Sequence, residues 1–339
     1  MDQWPSVGIG ILNYNGKKHL EAFLPFLQAV DYPFYKLYVI DNSSTDDSIE
    51  FLKANYPRII IIPTGGNLGF AGGYNVGFKQ MPEKYWLMLN SDVEVNPGFL
   101  KPMVELMEAN DNIAMCQSVL LAHHQREMFE YGGAAGGMLD WLGYSFCRGR
   151  IFETVEKDSC QYATEEVFWA GGACSLIRSD AYKKVGGMYD YYFMHFEEID
   201  LCWKFHREGY RVYCHADSKV FHVGGGSLSY QSPKKTFYNF RNNLVMVCRN
   251  ATPLFLVAWL PFRLLLDGGA AFRYLFKGDI QNFFSVIKGY AAFVYWAFFV
   301  RDDHNSSSPR LNLHHTKLSS VKSIVWKYYI EGKRIFSSL

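Results

Sequence analysis

One segment carries a carboxylate at the end of an apolar run: Trp86-Leu87-Met88-Leu89-Asn90-Ser91-Asp92. An uninterrupted apolar run of this kind predicts a strand that is buried on both faces of a sheet. Open α/β sheets bind their ligands at the carboxyl ends of such strands. Asp92 is therefore placed to hold a divalent cation against a phosphate. The simpler alternative is that Asp92 only ends the strand before the turn Asn96-Pro97-Gly98.

Two other segments have the composition of a nucleotide site. Asp41 ends a predicted strand and can accept hydrogen bonds from a base or a ribose, although Asp is also a common turn residue. The glycine-rich loop 65–73 lets the backbone approach a diphosphate beside a helix N-terminus. The loop matches neither a Walker sequence nor the G-x-G-x-x-G spacing, which argues against a nicotinamide-cofactor site.

The densest acidic cluster is Glu197, Glu198 and Asp200, at the start of a predicted helix. A solvated acidic face is the simpler interpretation, but the residues on either side are aromatic and apolar. Burial among them would raise the pKa of a carboxylate and make it a better base. His222 follows a strand and can add an imidazole to a metal that a carboxylate already holds.

Strands that alternate with helices are needed to position these residues. Apolar runs predict strands at 7–12, 37–40, 58–62 and 86–89, and the segments between them have helical patterns, at 48–55 and from 74 onward among others. This alternation predicts a parallel, doubly wound sheet with right-handed crossovers. From about residue 113 the strands become shorter and glycine-rich turns more frequent, which predicts a mixed continuation of the sheet.

Charge divides the 339-residue chain into two parts. Residues 1–233 have 19 Lys and Arg against 28 Asp and Glu, whereas residues 234–339 have 15 against 5. An acidic front and a basic back indicate different surfaces for different partners. The basic part contains two uncharged runs of twelve residues, 251–262 and 289–300. Each run is shorter than the roughly 20 residues that span a bilayer.

The mixture of aromatic and basic residues in this basic part favours helices that lie in a membrane interface. A buried helical subdomain or a dimer interface is the alternative. Seven cysteines without a C-x-x-C pair predict neither a disulfide framework nor a zinc site, and fit a reducing compartment. The first residues lack a basic segment, so no secretory signal is expected.

Taken together, these motifs resemble the inverting glycosyltransferases of family 2. Their glycosyltransferase A (GT-A) fold is a Rossmann-like α/β fold, with a nucleotide-diphosphosugar-binding mixed sheet flanked by helices. The resemblance covers about residues 5–250, and its motifs occur in the family's order, at 11–15, 41–46, 67–75, 89–92, 196–202 and His222. Asn90-Ser91-Asp92 together with Gly-Phe-Ala-Gly-Gly-Tyr-Asn at 69–75 is most similar to the bacterial rhamnosyltransferase-like branch. Members of that branch build cell-surface polysaccharides on lipid carriers.

The resemblance implies a role for each motif. Asp92 and His222 would ligate Mg²⁺ or Mn²⁺, and Asn90 replaces the first acid of the more usual Asp-x-Asp tip. Glu198 occupies the position of the family's catalytic Asp, so Asp200 is a rival base. The implied donor-binding residues are Asn13, Tyr14, Asn15, Asp41, Asn67, Gly69, Gly72, Asn75, Asn90 and Ser91. The implied acceptor-binding residues are Trp169, Gly171, Gly172 and Glu197.

The expected domains are a catalytic domain at 1–233, with a donor half to about 112 and an acceptor half from 113, and a helical membrane-association region at 234–339. The expected reaction transfers a sugar with inversion, from dTDP-rhamnose in preference to a UDP-sugar. The acceptor is expected to be a glycan or a polyprenyl-diphosphate-linked glycan. We expect the enzyme to be cytoplasmic and peripheral, on the anionic inner face of the cytoplasmic membrane, with no nucleic-acid partner.

Two other classes of function stay open at this point. A nucleotide-sugar pyrophosphorylase has a similar sheet, but it needs a basic glycine-rich loop near the N-terminus, which this sequence lacks. A non-catalytic polysaccharide-assembly subunit on the membrane would explain the basic C-terminal part. It would leave the arrangement of Asp41, Asp92 and Glu198 without a purpose.

Overall fold

The structure is a computed structural model that describes residues 4–224, 232–301, 309–316 and 318–339. Residues 1–3, on which the expectation about a secretory signal partly depends, lie outside this range. The strands are β1 (Val7–Asn13), β2 (Tyr35–Asp41), β3 (Ile60–Pro63), β4 (Tyr85–Asn90), β5 (Val93–Val95), β6 (Ile113–Ala122), β7 (Gly137–Leu139), β8 (Ser145–Cys147), β9 (Arg150–Ile151), β10 (Thr154–Val155), β11 (Glu165–Glu166), β12 (Cys174–Arg178) and β13 (Arg211–His222).

The α-helices lie between these strands and at the C-terminal end. They are α1 (Lys17–Gln28), α2 (Ser48–Asn55), α3 (Gly69–Phe78), α4 (Leu100–Ala109), α5 (Ser179–Lys184), α6 (Glu197–Arg207), α7 (Pro233–Asn250), α8 (Pro253–Phe276), α9 (Ile280–Tyr295) and α10 (Ile324–Tyr329). A π-helical segment, Trp296–Val300, continues α9.

The main sheet has the strand order β11-β13-β6-β12-β4-β1-β2-β3, with β5 paired to β13. Strands β4, β1, β2 and β3 are mutually parallel. Strand β12 lies antiparallel between β4 and β6, and makes the sheet mixed. The predicted α/β architecture, with a parallel first half and a mixed continuation, is therefore confirmed.

Helix α3 begins at Gly69, five residues before the predicted start. Its glycines explain the difference, because they serve close packing rather than a loop. A Cβ on Gly73 would lie 2.5 Å from a methyl carbon of Leu12, and a Cβ on Gly77 would lie 2.2 Å from one of Ile40. The helix approaches β1 and β2 closely because these positions have no side chain.

Strand register brings the polar strand ends to one edge of the sheet. Asn13 is opposite Asp41 in the pairing of β1 with β2, and Leu12 is opposite Asn90 in the pairing of β1 with β4. On the other side of β4, His222 is opposite Val93 in the pairing of β13 with β5. Residues that lie far apart in the sequence thus share the edge at which α/β sheets bind ligands.

The C-terminal helices share their core with the sheet. Leu244 of α7, Trp259 of α8 and Phe293 of α9 are buried in the same apolar cluster as Trp86 and Met88 of β4. A smaller antiparallel sheet, β7 to β10, also packs near these helices. The boundary at residues 233 and 234 stays a prediction.

The expectation that the apolar C-terminal segments are too short to span a bilayer was wrong. Pro253–Phe276 and Ile280–Val300 are helices of 24 and 21 residues, long and apolar enough to cross a membrane by length and composition. The charges of Arg263 and Asp267 do not interrupt α8, because they form a buried ion pair of 2.8 Å. The hydroxyls of Tyr144 and Tyr290 each donate a hydrogen bond of 2.7 Å to the same carboxylate.

Candidate active site

The pairing of β13 with β5 brings His222 against Asp92. His222 Nε2 lies 3.1 Å from Asp92 Oδ1, and both residues are at most 9% exposed. Asn90 Nδ2 lies 3.4 Å from the same imidazole nitrogen. Two ligands in neighbouring octahedral positions, each about 2.1 Å from a Mg²⁺ ion, are themselves about 3 Å apart. The observed pair has the same spacing in a hydrogen-bonded ion pair, and it would fit a divalent cation after the imidazole loses its proton.

Glu130 supports His222 from the opposite side of the imidazole. Its Oε2 lies 3.5 Å from His222 Nδ1 and accepts a hydrogen bond from the backbone N–H of Gly132. A carboxylate in this position orients a ligating imidazole so that its other nitrogen faces the metal. Burial lowers the pKa of His222, but its contacts with Asp92 and Glu130 outweigh that effect and raise the pKa to about 10. The sequence analysis missed Glu130, which belongs to no recognised motif.

The described residues contain no group of three or more His, Cys, Asp or Glu side chains arranged around one metal position. The metal-binding roles of Asp92 and His222 stay predictions.

The predicted nucleotide residues line the ends of β1 and β2. Asn13 Nδ2 donates to Ser44 Oγ at 3.0 Å, and Asp41 Oδ2 accepts from the backbone N–H of Ser44 at 3.3 Å. Asn15 Oδ1 accepts from the backbone N–H of Thr45 at 2.7 Å. These bonds join the two strand ends into one polar cradle. Tyr14 lies outside the cradle, and its side chain is exposed. Ser91 Oγ lies beside the cradle, near Gly16.

Asn42 shapes the glycine-rich loop, although the sequence analysis assigned it no role. Its Nδ2 donates to Gly69 O at 3.0 Å, and its Oδ1 accepts from the backbone N–H of Leu68 at 2.9 Å. Asn67 Oδ1 caps the same turn by accepting from the backbone N–H of Gly69. The position of Asn42 directly after Asp41 was the available sequence signal.

Gly69 and Gly72 allow the glycine-rich loop to reach the segment before α6. Gly69 has a positive φ of 69°, and a Cβ there would lie 2.3 Å from the backbone oxygen of Phe193. The backbone N–H of Phe70 donates to that same oxygen. A Cβ on Gly72 would lie 2.8 Å from the Cβ of Leu68. The predicted donor loop and the acid-bearing segment are thus directly connected.

Asn75 connects the same two parts of the chain. Its Nδ2 donates to Met188 O at 2.9 Å and to Asp190 Oδ1, and its Oδ1 accepts from the backbone N–H of Met188 at 3.1 Å. These bonds occupy its amide in a scaffold contact. The role of Asn75 in donor binding stays a prediction.

The three acids of α6 differ in their surroundings. Asp200 is fully buried, where it accepts from Tyr192 Oη at 3.0 Å and from Asn250 Nδ2 at 2.7 Å. The Oε2 atoms of Glu197 and Glu198 are also buried, but neither has a hydrogen-bond partner in the described chain. Glu197 is buried and Glu198 is partly exposed. Asp200 therefore holds α6 to α7 through Oδ1, while its Oδ2, like the two glutamate oxygens, has no hydrogen-bond partner in the described residues.

Burial shifts the titration of both glutamates. It raises the pKa of Glu198 to about 7, against the opposing effect of backbone N–H groups at the start of α6. Burial and the neighbouring charge of Glu198 raise the pKa of Glu197 well above its usual range. A carboxylate whose pKa lies near neutrality is suited to take a proton from a hydroxyl.

A strained segment presents these acids. Phe193, His195 and Phe196, which directly precede α6, have φ values of 64°, 67° and 73°. A non-glycine residue in this region costs about 1–3 kcal/mol and persists only where the surroundings enforce it. The strain therefore requires a constraint from elsewhere in the fold.

Asn242 and Arg241 of α7 supply that constraint. Asn242 Nδ2 donates to the backbone oxygens of Tyr192, Met194 and His195, at 3.1, 2.7 and 2.7 Å. Arg241 Nη2 donates to Tyr192 O at 2.9 Å, and its Nε donates to Asn242 Oδ1. We call Arg241 and Asn242 the α7 clamp. The sequence analysis assigned neither residue a role.

The predicted acceptor residues lie deeper than an open groove. Trp169 is 3% exposed and donates from Nε1 to Met138 O at 3.0 Å. The backbone N–H of Gly171 donates to Gln117 Oε1, and a Cβ on Gly172 would lie 2.7 Å from the ring of Phe70. These contacts hold the segment 169–172 in place beside α6. Direct contact of these residues with an acceptor stays a prediction.

Comparisons with known proteins agree with this geometry. The sequence model described as Glycosyl transferase family 2 matches residues 9–186, which is more than half of the chain. The N-acetylglucosaminyl-diphospho-decaprenol L-rhamnosyltransferase of Mycobacterium tuberculosis is 26% identical over 207 residues, which cover 56% of this chain and 67% of that protein. Rhamnosyltransferase WbbL of Escherichia coli is 26% identical over 234 residues, which cover 63% of this chain and 86% of its own length.

The fold also matches that of solved glycosyltransferases. GalNAc-T7, crystallised with UDP, GalNAc and Mn²⁺, superposes with a TM-score of 0.59 at 14% sequence identity. The alignment covers 75% of this chain and only about half, 49%, of the GalNAc-T7 chain. At this identity the match shows the fold, and it confirms the predicted GT-A architecture.

The α7 clamp leads to a test of what it contributes to catalysis. Asn242→Ala would release the strained segment before α6, and we expect turnover to fall about a hundredfold, the effect of an ångström-scale misplacement of catalytic groups. Nucleotide binding, measured by calorimetry, would be unchanged because the cradle of β1 and β2 is intact. The measurement is kcat corrected for the folded fraction.

Asn243→Ala is the matched control, since Asn243 is also buried in α7 and donates to Gly143 O at 2.7 Å. Both variants should lose about 1–3 kcal/mol of unfolding free energy. An equal loss of turnover in the two variants would show that the clamp only stabilises the fold.

Proposed function

Because the chain belongs to glycosyl transferase family 2, we propose that it transfers a sugar from a nucleotide-diphosphosugar to a glycan or lipid-linked glycan, with inversion at the anomeric carbon. The observation that carries this proposal is that the pair of Asp92 and His222 and the cradle around Asp41 share one edge of the sheet. The segment that precedes the acids of α6 contacts the glycine-rich loop beside that cradle, through Phe193 and Phe70. dTDP-rhamnose is the favoured donor because two relatives are rhamnosyltransferases by name, and a UDP-sugar is the alternative.

Glu198 is the proposed general base. Its partial exposure lets it reach an acceptor hydroxyl, whereas Asp200 is fully buried and its Oδ1 already accepts two hydrogen bonds. The charge of Glu198 in turn helps to keep the pKa of the buried Glu197 high. Glu197 is also one of the predicted acceptor-binding residues, and it would line the position of the acceptor sugar.

The proposed reaction is a single in-line displacement. Glu198 takes the proton of the acceptor hydroxyl as that oxygen attacks the anomeric carbon, and the bond from that carbon to the diphosphate breaks. Asp41 and the loop held by Asn42 orient the nucleotide. A Mg²⁺ or Mn²⁺ ion held by Asp92 and His222 would neutralise charge on the leaving diphosphate. One displacement without a covalent intermediate inverts the anomeric configuration.

Glu198→Gln tests the base. The amide cannot accept the proton, so we expect transfer to fall by at least about a hundredfold, within the usual contribution of a general base. Donor binding by calorimetry should persist. Glu166→Gln, in which the changed residue pairs with Arg211 on β13, is the control. Transfer by the Glu198 variant at the wild-type rate would exclude Glu198 as the base. Release of pyrophosphate from a nucleoside triphosphate by the wild-type protein would instead favour a pyrophosphorylase.

The pH dependence follows from the same residue. A general base acts when it is ionised, and the pKa of Glu198 is raised to about 7. We therefore expect kcat/KM to decrease about tenfold for each pH unit below that value. The profile is measured at constant ionic strength with a saturating divalent cation. An acidic limb near pH 4.5, the ordinary value of a glutamate, would contradict the assignment.

We further propose that the outer faces of α8 and α9 hold the enzyme on the anionic inner face of the cytoplasmic membrane, near a polyprenyl-diphosphate-linked acceptor. Trp259 Nε1 and Arg263 Nη1 both donate to Leu142 O, so α8 is held lengthwise against the catalytic domain by one buried stripe, Trp259, Arg263, Asp267 and Ala271. That arrangement favours a helix in the interface plane over a spanning helix. The outer face exposes Leu254, Val257, Phe262, Leu265, Phe272 and Phe276.

Surface substitutions test this location better than truncation, because α8 and α9 contribute buried residues to the core. The double variant Leu265→Glu, Phe276→Glu should lose binding to phosphatidylglycerol vesicles, since both side chains are more than 70% exposed. Ile60→Glu, on the edge strand β3, is the control. Vesicle sedimentation measures binding, which should also weaken with salt. Unchanged binding by the double variant would contradict the location.

A further inference from the structure

Arg150 is a buried cation for which the described chain offers no carboxylate partner within ion-pair distance. Its side chain is 7% exposed, its Nη2 lies 3.3 Å from Cys147 Sγ, and its Cζ lies 4.6 Å from the ring centroid of Tyr131. Its Nε has no hydrogen-bond partner in the described residues. A buried charge is costly unless it is paired and hydrogen-bonded. Glu130 acts on the charge of Arg150 from beyond ion-pair distance, and the Nε of Arg150 is left for a further hydrogen-bond acceptor.

A second arginine in the same β8–β9 hairpin, two residues before Arg150, does have a carboxylate partner. Arg148 is 2% exposed, and its Nη1 lies 2.9 Å from Glu165 Oε2. Its guanidinium also donates to the backbone oxygens of Ala135 and Ala163. The same segment satisfies one arginine with protein groups and leaves the other with a thiol and an aromatic face.

Lys235 brings a second cation to the same ring. Its Nζ lies 5.9 Å from the ring centroid of Tyr131, beside Arg150. Burial lowers the pKa of Lys235, an effect that Glu130 opposes and the charge of Arg150 reinforces. Two cations held at one aromatic side chain form a site for a dianion, such as a phosphate.

Contacts through the small sheet connect Arg150 to α6. Cys147, which Arg150 contacts, is opposite Gly137 in the pairing of β7 with β8, and Gly137 pairs with Trp169. The backbone N–H of the next residue, Ala170, donates to Cys202 Sγ, one turn of α6 after Glu198. These contacts place the proposed phosphate on the side of the small sheet that leads to α6.

The outer face of α8 reaches the same place. Arg273 Nη2 lies 3.6 Å from Glu153 Oε1, in the turn that joins β9 to β10, and the neighbouring Tyr274 raises the pKa of Tyr131. Phe276, 88% exposed, follows directly. A lipid chain along this face would therefore end near the two cations.

We propose that Arg150 and Lys235 form a subsite for the diphosphate of a lipid-linked acceptor. The acceptor sugar lies toward Glu198, its diphosphate between the two cations, and its lipid along the outer face of α8. The proposal rests on the proposed glycosyl transfer and adds the acceptor class and the residues that select it. Its distinctive consequence is that Arg150 discriminates between charged and uncharged acceptors.

The experiment compares two acceptors in the full-length protein. One is N-acetylglucosaminyl diphosphate with a short prenyl chain, and the other is uncharged octyl N-acetylglucosaminide. Arg150→Gln should raise KM for the diphosphate acceptor about tenfold or more, the effect of losing a charged hydrogen bond. KM for the octyl glycoside and for dTDP-rhamnose should not change. Arg150→Lys should have an intermediate effect.

Arg126→Ala is the control, because Arg126 is exposed and pairs with Glu94 at 2.6 Å. An equal rise in KM for both acceptors would overturn the subsite, and so would a rise confined to the donor. If the wild-type protein transfers to neither acceptor, the proposed glycosyl transfer to these acceptors fails. The subsite is then judged by calorimetry with the prenyl diphosphate sugar: weaker binding by Arg150→Gln supports it, and equal binding overturns it.

Discussion

The pairing of β5 with β13 is the constraint on which the candidate site depends. Strand β5 has only three residues, and it places Val93 opposite His222. This register brings Asp92 and His222, which are 130 residues apart in the sequence, into contact. Glu130 then fits against the second imidazole nitrogen. Without this short antiparallel pairing, the carboxylate at the β4 tip would lack its contact with the imidazole.

Buried charges in this fold differ in how far protein groups satisfy them. Arg148 is bonded to Glu165 and to the backbone, and Asp200 Oδ1 accepts from Tyr192 and Asn250. Glu198 is more exposed than Asp200, and Glu198 Oε2 and Arg150 Nε have no hydrogen-bond partner in the described residues. Because an unpaired buried polar group destabilises the fold, such residues point to substrate groups that complete them. The two unsatisfied charges have opposite sign, as a nucleophilic hydroxyl and a diphosphate would require.

The C-terminal helices pack against the segment that carries the candidate acids. Helix α7 holds the strained segment before α6 through Asn242. Helix α9 packs directly on α7, where a Cβ on Gly289 would lie 3.3 Å from the backbone of Arg241. Trp296 Nε1 also donates to Tyr189 Oη. The helices proposed to contact lipid therefore support the acids proposed to act on the acceptor.

Local patterns in the sequence were enough for the main architecture. Apolar runs of strand length predicted β1, β2 and β4, and the polar residues after each run predicted the ligand-binding edge. The motif around Asp92 and the acids of α6 were identified for the same reason, because residue type and spacing are local properties. The GT-A fold followed from the order of these motifs.

Only the tertiary structure decided which polar residues are satisfied and which are open. The sequence left Asp200 as a rival of Glu198 for the base, and only the structure shows that Asp200 is fully buried against Asn250 whereas Glu198 is partly exposed. Glu130, Asn42, Asn242 and Arg150 were also not predicted from the sequence. The first three have partners up to about a hundred residues away, and Arg150 stands out because the described chain offers it no carboxylate partner. Hydrogen bonds and ion pairs between distant segments form only once the sheet and helices pack, so no local pattern records them.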